Sequence, residues 1–218
     1  MDFGITPQPI ERYLEEILPP RPPVLAEMER ILPRQGVPLI GPLEGQLLTV
    51  LARAARARQV LEIGTGLGYS TIWLALAVEP FDGTVTTVER DPDRANGAEA
   101  FFRRAGLSAR ITVLRGDAFA LLPTFTGPFD VIFLDILRGL DDPALAPRLL
   151  QLSVERLRPG GLLIADNALV EGRVARHDAP EASVQGLRAY NQAIMQHPDL
   201  DSVVLPLRDG VAVSLRRP

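Results

Sequence analysis

Three closely spaced glycines are the first chemical signal in the sequence. Gly64, Gly66 and Gly68 directly follow the apolar run 59–63. Beyond the carboxyl end of a parallel strand, glycines let the backbone approach a ligand and leave the amides of the next helix free to bind it. A dinucleotide fingerprint would need its third glycine at position 69, which is Tyr69. The spacing therefore predicts a ligand site and argues against a nicotinamide-dependent dehydrogenase.

Two acidic residues follow the next two β-rich runs. Glu89 follows the run 84–88, where a carboxylate can accept hydrogen bonds from both ribose hydroxyls of an adenosine. Asp117 follows the run 111–114, where a side chain can reach an adenine amino group. The alternative is a pair of tight strand-to-helix turns with solvated acids. Because both acids stand at strand ends, they favour a nucleoside site together with the glycine turn.

Three more polar residues follow the fourth and fifth apolar runs. Asp135 directly follows the run 129–134, and Asp166 and Asn167 follow 161–165. Neighbouring parallel strands end at the same edge of a sheet, so these three oxygen donors would converge there. Such donors suit Mg²⁺, Mn²⁺ or Ca²⁺. The alternative is that Asp135 caps the following segment and that Asp166 and Asn167 form a turn.

A sheet is needed to hold these residues at one edge, and the apolar periodicity predicts one. Five short apolar runs alternate with helical patterns, and strands joined by crossover helices form a parallel sheet covered on both faces. Near the end, the runs 201–205 and 211–215 flank Arg208-Asp209-Gly210 and indicate an antiparallel hairpin. The predicted strands are 59–63, 84–88, 111–114, 129–134 and 161–165, and the predicted helices are 46–58, 70–78, 92–105, 118–122, 143–157 and 183–195.

The first 38 residues differ from the rest in their proline content. Two short helices are predicted at 10–18 and 24–32, and the prolines at 19, 20, 22 and 23 separate them. These helices form either a layer packed on the core or an arm on a partner subunit. We therefore expect a single domain over 1–218, with an N-terminal helical extension at 1–38 and an α/β core at 39–218.

Composition excludes several classes of protein. The sequence has 218 residues and a net charge of -4, which provides no basic footprint for nucleic acid. It has no cysteine and two histidines, so disulfides, thiolate metal sites and histidine-rich zinc sites are not expected. It shows neither a signal peptide nor an apolar run long enough to span a membrane. We expect a cytoplasmic protein.

Eight short motifs follow one another along the chain: Ile40-Gly41-Pro42-Leu43-Glu44-Gly45, Val60-Leu61-Glu62-Ile63-Gly64-Thr65, Gly68-Tyr69-Ser70, Gly116-Asp117-Ala118, Phe133-Leu134-Asp135, Arg158-Pro159-Gly160-Gly161, Ala165-Asp166-Asn167 and Leu205-Pro206-Leu207-Arg208-Asp209-Gly210. Taken in this order, they resemble those of the metal-dependent O-methyltransferases related to catechol and caffeoyl-CoA O-methyltransferases. The similarity is greatest to their small bacterial members, which are class I S-adenosylmethionine-dependent enzymes, and it runs from about Leu39 to the C-terminus. It implies a Rossmann-like, seven-stranded, mostly parallel sheet that ends in the hairpin.

The resemblance implies S-adenosylmethionine as the cofactor and assigns residues to its parts. Ile40 would pack beside the methionine portion through its backbone. Glu89 would bind the ribose, and Asp117 and Ala118 would lie at the adenine. The residues that would hold the methionine portion belong to the first strand, its turn and the next helix, and they are Glu62, Gly64, Thr65 and Ser70. Gly66 of the same turn is also expected to bind the cofactor.

The resemblance also bears on the reacting end of the cofactor. Asp135, Asp166 and Asn167 match the metal ligands of the family, with Mg²⁺ (or Mn²⁺ or Ca²⁺) as the expected ion. Asp135 would also lie near the amino group of the methionine. Leu137 and Arg138 depart from the pattern, because the family commonly has an aspartate and a lysine at these positions. We take Asp135 and Arg138 as candidate catalytic residues.

Because arginine replaces the family's lysine at position 138, the sequence does not identify the general base. Arginine stays protonated, so Arg138 is a poor base. It could instead hold a substrate carboxylate, help to stabilise a metal-bound oxyanion, or be a solvated surface residue. His177 is either an alternative base or an ordinary surface histidine, and His197 is expected to be structural.

The sequence predicts metal-assisted methyl transfer to a hydroxyl of a small catechol-like or phenolic acceptor. One alternative is a metal-independent methyltransferase that acts on another nucleophile. Another is a catalytically weak protein that binds the cofactor or serves as a scaffold. No nucleic-acid or membrane partner is expected. Similar bacterial proteins are often homodimers, and the N-terminal helices could form part of such an interface.

Overall fold

A seven-stranded sheet forms the centre of the fold. The computed structural model describes residues 6–140, 142–176 and 178–218. The strands are β1 (Gln59–Ile63), β2 (Thr84–Glu89), β3 (Ile111–Arg115), β4 (Phe129–Leu134), β5 (Leu157–Ala165), β6 (Leu200–Leu205) and β7 (Val211–Arg216). Their order across the sheet is β3-β2-β1-β4-β5-β7-β6. Strands β1 to β5 are parallel, and β7 is antiparallel to both β5 and β6. The predicted doubly wound sheet with a closing hairpin is confirmed.

Helices precede the sheet and connect its strands. They are α1 (Gln8–Glu16), α2 (Pro23–Ile31), α3 (Gly41–Ala54), α4 (Tyr69–Val78), α5 (Pro92–Arg104), α6 (Ala118–Leu121), α7 (Leu145–Arg156) and α8 (Ala182–Gln196). The predicted start of α3 at residue 46 was wrong. Pro42 lies in its first turn, where a missing backbone N–H breaks no helical hydrogen bond, so the helix begins at Gly41. In the described part of the chain, no helix is long and apolar enough to cross a membrane.

The fifth strand also begins earlier than predicted. The sequence Pro159-Gly160-Gly161 is typical of a turn, which placed the predicted start at residue 161. In the structure, Phe129 pairs with Leu157, and the register then shifts before the regular pairing along β4 resumes. This irregularity accommodates a proline and two glycines within a continuous strand.

Successive strand residues belong to two apolar layers. In β4, Val131 and Phe133 join the layer formed by α2, α3, α4 and α5, whereas Ile132 and Leu134 join the layer formed by α6, α7 and α8. Both sets are buried because helices cover both faces of the sheet. This explains why the strands appear in the sequence as nearly uninterrupted apolar runs.

The two N-terminal helices differ in how they pack. α2 buries Val24, Leu25 and Met28 in the same layer as α3, α4 and α5. α1 buries no residue, and its Glu11 forms an ion pair with Arg208 in the β6–β7 turn, at 3.1 Å. The sequence left open whether these helices pack on the core or reach a partner subunit. α2 packs on the core, whereas α1 lies at the periphery.

The parallel register brings the ends of four strands to a common edge. Ile63 pairs with Val88 on one side and with Leu134 on the other, and Leu134 pairs with Ala165. The residues that follow these positions are the glycine turn, Glu89, Asp135 and Asp166. The fold therefore positions the predicted site residues along one edge of the sheet.

Candidate cofactor and acceptor site

The glycine turn connects β1 to α4 through conformations that favour glycine. Gly64 has a φ of +102°, and a Cβ there would lie 2.6 Å from the carbonyl oxygen of Asp135. Gly68 has a φ of +86°, and its Cβ would lie 2.3 Å from the ring of Phe102. At Gly66, with a φ of +54°, a Cβ would meet no atom of the described chain within 4 Å. Packing thus requires glycine at Gly64 and Gly68, whereas Gly66 borders open space.

Glu89 holds this turn from the end of β2. Its Oε2 accepts a hydrogen bond from the amide of Gly66 at 2.8 Å, and its Oε1 accepts one from the amide of Asp91 at 2.9 Å. A carboxylate offers about four acceptor positions, so these two bonds leave capacity for a ligand. The ribose contact of Glu89 stays a prediction, and its bond to the glycine turn is a further role that the sequence did not predict.

Asp117 caps the short helix α6. Its Oδ1 accepts hydrogen bonds from the amides of Phe119 at 2.9 Å and Ala120 at 3.1 Å. Asp117 is exposed and the adjacent Ala118 is buried. The strand-to-helix turn considered as the alternative is therefore present. The adenine contacts of Asp117 and Ala118 stay predictions.

Glu62 is the centre of a buried hydroxyl network beneath the turn. Its Oε2 accepts hydrogen bonds from Thr71 and, at 2.6 Å, from Thr87. The Thr87 hydroxyl also lies 2.6 Å from that of Thr65. Burial raises the pKa of Glu62 to about 7, although hydrogen bonds from Ser70 and these threonines favour the charged form. Sequence reasoning missed Thr71 and Thr87, because ordinary helix and strand positions carry no local signal for such a contact.

The other oxygen of Glu62 differs from the first. Glu62 Oε1 is buried and has no hydrogen-bond partner in the described chain. A buried carboxylate oxygen without a partner is unfavourable. This oxygen is therefore available for the predicted contact with the methionine portion of the cofactor.

Asp135 and Asp166 are neighbours because the sheet hydrogen bonding continues beyond their strands. The amide of Asp135 donates to the carbonyl of Ile63 at 2.8 Å, and that of Asp166 donates to the carbonyl of Leu134 at 3.0 Å. Burial raises the pKa of Asp166 to about 6. Burial, together with the charge of Asp166, raises the pKa of Asp135 well above its usual value. The two acids are therefore close enough for the charge of Asp166 to act on Asp135.

Asn167 adds an amide to these two acids. Its φ is +62°, a left-handed conformation that asparagine tolerates better than most residues. Its backbone amide and its Nδ2 donate to Asp166 at 2.5 and 3.0 Å. Among the described residues, no group of three or more His, Cys, Asp or Glu side chains could hold a metal ion. The predicted ligand set accordingly consists of two carboxylates and one amide.

Glu44 lies near these acids and was not identified as a site residue from the sequence. It is fully buried in the first turn of α3, and neither of its carboxyl oxygens accepts a hydrogen bond from an amide, hydroxyl or guanidinium of the described chain. Burial, and then repulsion from Asp166 and Asp135, raises the pKa of Glu44 well above its usual value. Its only signal in the sequence was its place in a family motif.

Arg208 supplies positive charge near these acids. Its charge opposes the rise in pKa of both Glu44 and Asp166. Its guanidinium donates to Glu11 at 3.1 Å and to the carbonyl of Leu39 at 3.4 Å. It packs against Gly41, where a Cβ would lie 2.5 Å from Arg208 Nη1. Arg208 therefore fixes the backbone on both sides of Ile40, a buried residue with a predicted cofactor role.

Arg138 joins three segments at the same edge. Its Nη2 donates to Glu171 Oε1 at 2.5 Å, and its Nη1 lies 3.9 Å from Asp209 Oδ2. The amide of Glu171 also donates to Asp209. Val170 and Glu171 have φ values of +44° and +56°, so the backbone beside this ion pair is strained. Arg138 is exposed but ion-paired, which differs from a simply solvated arginine.

Of the two histidines, only His197 is among the described residues. His177, the alternative base, lies outside the described residues. His197 Nδ1 accepts a hydrogen bond from the amide of Asp199 at 3.1 Å, in the turn before β6. That contact agrees with a structural role for His197.

Comparison with known proteins gives a consistent result. A sequence model of the O-methyltransferase family matches residues 21–217. The chain is 33% identical to a catechol O-methyltransferase of Niastella koreensis, over 94% of this chain and 96% of that protein. It is 32% identical to a catechol O-methyltransferase of Mycobacterium tuberculosis, over 100% and 99% of the two chains. The crystal structure of an O-methyltransferase from Bacillus cereus in complex with SAH (S-adenosylhomocysteine) superposes with a TM-score of 0.83 at 30% identity, over 96% and 97%.

The chain therefore belongs to the O-methyltransferase family. It is an S-adenosylmethionine-dependent O-methyltransferase with a Rossmann-like fold. The residue roles predicted within the site are proposals.

Proposed function

We propose that this enzyme methylates a hydroxyl of a small catechol-like or phenolic acceptor with the help of a divalent cation. The observation that carries the proposal is the pair of half-buried Asp135 and buried Asp166, beside Glu44, at the same sheet edge as the glycine turn. The similarity to two catechol O-methyltransferases supports this acceptor class.

The residues present fit a hard cation. Asp135, Asp166 and Asn167 would hold it through oxygen atoms, which Mg²⁺, Mn²⁺ and Ca²⁺ prefer. The raised pKa values of both aspartates mean that added positive charge would stabilise their ionised forms. When bound, the ion would supply the charge that lowers the pKa of an acceptor hydroxyl and stabilises its oxyanion.

Asp135 would connect the methyl donor to the acceptor. Its carbonyl packs against Gly64 of the glycine turn, and its carboxylate interacts with Asp166. A residue in this place can orient the amino group of the methionine and the acceptor site together. Because such positioning is a large part of catalysis in two-substrate transfers, we propose that Asp135 is the main catalytic residue.

The acceptor proton has few destinations in this chain. The sequence contains no lysine, because all 23 of its basic residues other than histidine are arginines. Arg138 stays protonated and cannot accept a proton. The proton would therefore pass to a carboxylate, to water or to His177. The ion pairs of Arg138 support a role in fixing the segment after β5 beside the acceptor.

The test combines a binding and a turnover measurement. We expect Mn²⁺ binding, followed by electron paramagnetic resonance, to weaken at least tenfold in Asp166→Ala. We expect catechol methylation, followed by chromatography, to stop in EDTA and to return with Mg²⁺. The control is Asp201→Ala, which replaces an exposed aspartate paired with Arg217. It should change neither Mn²⁺ binding nor catechol methylation.

The alternatives predict different results. Full turnover in EDTA would overturn the metal-assisted reaction and favour a metal-independent transferase. Binding of S-adenosylmethionine without methyl transfer to any phenol would favour a catalytically weak protein. The departures at Leu137 and Arg138 are the features that favour these two outcomes.

We also propose that the enzyme forms a homodimer through its N-terminal helices. Ile10, Tyr13 and Ile17 follow one face of α1 and are 50%, 60% and 60% exposed. A contiguous apolar face of this kind is typical of an interface. Light scattering should give twice the 23.8 kDa mass of one chain, and Tyr13→Asp should give the monomer. A wild-type monomer at micromolar concentration would contradict the proposal.

A further inference from the structure

A partly buried hydrogen bond connects α2 to the first residue of α4. The Tyr69 hydroxyl donates to Glu29 Oε1 at 2.7 Å. Arg21 occupies the other oxygen of Glu29, with Nε at 3.0 Å and Nη2 at 2.9 Å. A hydrogen bond to a charged acceptor is stronger than one between neutral groups. The N-terminal layer is therefore joined to α4 by a specific polar contact as well as by apolar packing.

This contact lies directly beside the glycine turn. Gly68, in a left-handed conformation, is the N-cap of α4, and Tyr69 is the first residue of that helix. Glycines impose little restriction on their own backbone. The turn therefore depends on its neighbours for a fixed shape. Glu89 holds it through Gly66 on one side, and the contact between Glu29 and Tyr69 holds its other end.

The orientation of Tyr69 also determines where the next two side chains point. Successive helix residues are rotated by about 100°, so fixing Tyr69 fixes Ser70 and Thr71 as well. Thr71 donates to Glu62, and Ser70 contributes to the same buried network. Ser70 and Glu62 are both predicted to hold the methionine portion of the cofactor.

Packing gives Tyr69 one well-defined position. Its ring makes an edge contact with Trp73, with centroids 6.3 Å apart and planes at 72°. Trp73 in turn packs on Gly45 of α3, where a Cβ would lie 2.4 Å from the indole. The first turn of α4 is thus held between α2 and α3. The Tyr69 hydroxyl makes the polar contact with Glu29. Phenylalanine at position 69 would keep the ring packing and lose that contact.

We propose that Glu29 is a positioning residue for the cofactor site and acts through Tyr69. It sets the rotation of the first turn of α4, and with it Ser70, Thr71 and the end of the glycine turn. The inference rests on the proposed cofactor roles of that turn and of Ser70. It gives α2 a part in cofactor affinity, in addition to its place in the core.

The experiment compares Tyr69→Phe and Glu29→Ala with Glu27→Ala. Glu27 lies on the same helix and pairs with Arg104 of α5 instead of with a residue of α4. Calorimetry should show that both test variants bind S-adenosylmethionine about fivefold to tenfold more weakly, as expected for the loss of one hydrogen bond. KM for the cofactor should rise by the same factor as the dissociation constant, whereas kcat should change less than about twofold. Glu27→Ala should bind like the wild type.

The double variant provides the decisive comparison. Because the two side chains act as one unit, Tyr69→Phe with Glu29→Ala should weaken binding no more than either change alone. Lower thermal stability with unchanged cofactor affinity, or fully additive losses, would overturn the inference. Failure of the wild type to bind S-adenosylmethionine would instead contradict the proposed cofactor roles, so the two failures are distinguishable.

Discussion

The two halves of the site satisfy their buried polar groups in different ways. In the methyl-donor half, formed by the glycine turn with Glu62 and Glu89, amides and hydroxyls of the chain bind three of the four carboxylate oxygens. In the acceptor half, formed by Glu44, Asp135 and Asp166, neither oxygen of Glu44 accepts a hydrogen bond from an amide, hydroxyl or guanidinium of the described chain. Burial, and then repulsion between neighbouring acids, raises the pKa values of Glu44 and Asp135.

This difference indicates what completes each half. The methyl-donor half is held by the protein itself, so its shape should persist without a ligand. The acceptor half concentrates negative charge, so it should be completed by protons or by a bound cation. Changes in the first half should act mainly on folding and cofactor affinity, and changes in the second mainly on turnover.

The largest effect is expected from a methyl group within the glycine turn. Gly64→Ala would place its Cβ 2.6 Å from the carbonyl of Asp135 at a φ of +102°. We expect the free energy of unfolding to fall by about 3 kcal/mol or more, measured by urea denaturation. Gly66→Ala, which meets no described atom within 4 Å, should cost about 1 kcal/mol. Equal losses would contradict a turn whose shape is set by packing on Asp135.

The next effect concerns the pH dependence of stability through Glu62. Its pKa is raised to about 7 in the folded chain, against about 4.3 when unfolded. The folded state therefore binds the extra proton, and the stability that it provides is lost as pH rises from about 4 to about 7. In Glu62→Gln the loss over this range should be smaller by about 1–3 kcal/mol.

Urea denaturation at pH 4.5 and pH 7.5 in EDTA would measure this difference. Glu79→Gln, a substitution at an exposed residue at the far end of α4, is the matched control and should leave the pH dependence unchanged. An identical pH dependence in Glu62→Gln and the wild type would show that the hydroxyl network offsets the burial of Glu62 completely.

Much of the fold was predictable because its determinants are local. The bounds of β1 and β4 were predicted correctly, since glycines or polar residues end their apolar runs. The start of β5 was not, because Pro159-Gly160-Gly161 indicates a turn unless the bulged pairing with β4 is known. Local sequence signals the turn residues, and only the neighbouring strand decides whether the chain turns.

The site was predictable where strand ends position it. The register of the parallel strands alone explains why Asp135 and Asp166 are neighbours. Glu44 was missed because it comes from a helix far away in the sequence, where an acidic residue in the first turn is ordinary. The contacts of Arg138 with Glu171 and of Arg208 with Glu11 also join distant segments, and no local pattern indicates them.

The smallest effect on folding is expected at Arg138. A change there tests most directly whether the methyl-donor half and the acceptor half of the site act separately. Because its pair with Glu171 is exposed, Arg138→Met should change the free energy of unfolding by less than about 1 kcal/mol. Affinity for S-adenosylmethionine should stay within about twofold of the wild type, because Arg138 belongs to the acceptor side. KM for the acceptor should rise about threefold to tenfold, because the strained segment at Val170 and Glu171 loses the ion pair that holds it.

Arg217→Met, which removes another exposed arginine paired with an aspartate, is the control for Arg138→Met and should leave both substrates unaffected. Parallel losses of cofactor and acceptor affinity in Arg138→Met would mean that the two halves are mechanically coupled through the β6–β7 turn. Arg208 and Asp209, adjacent in that turn, reach the segment before α3 and the segment after β5 respectively. A loss confined to the acceptor would instead mean that this turn holds each half independently, as their different polar contacts suggest.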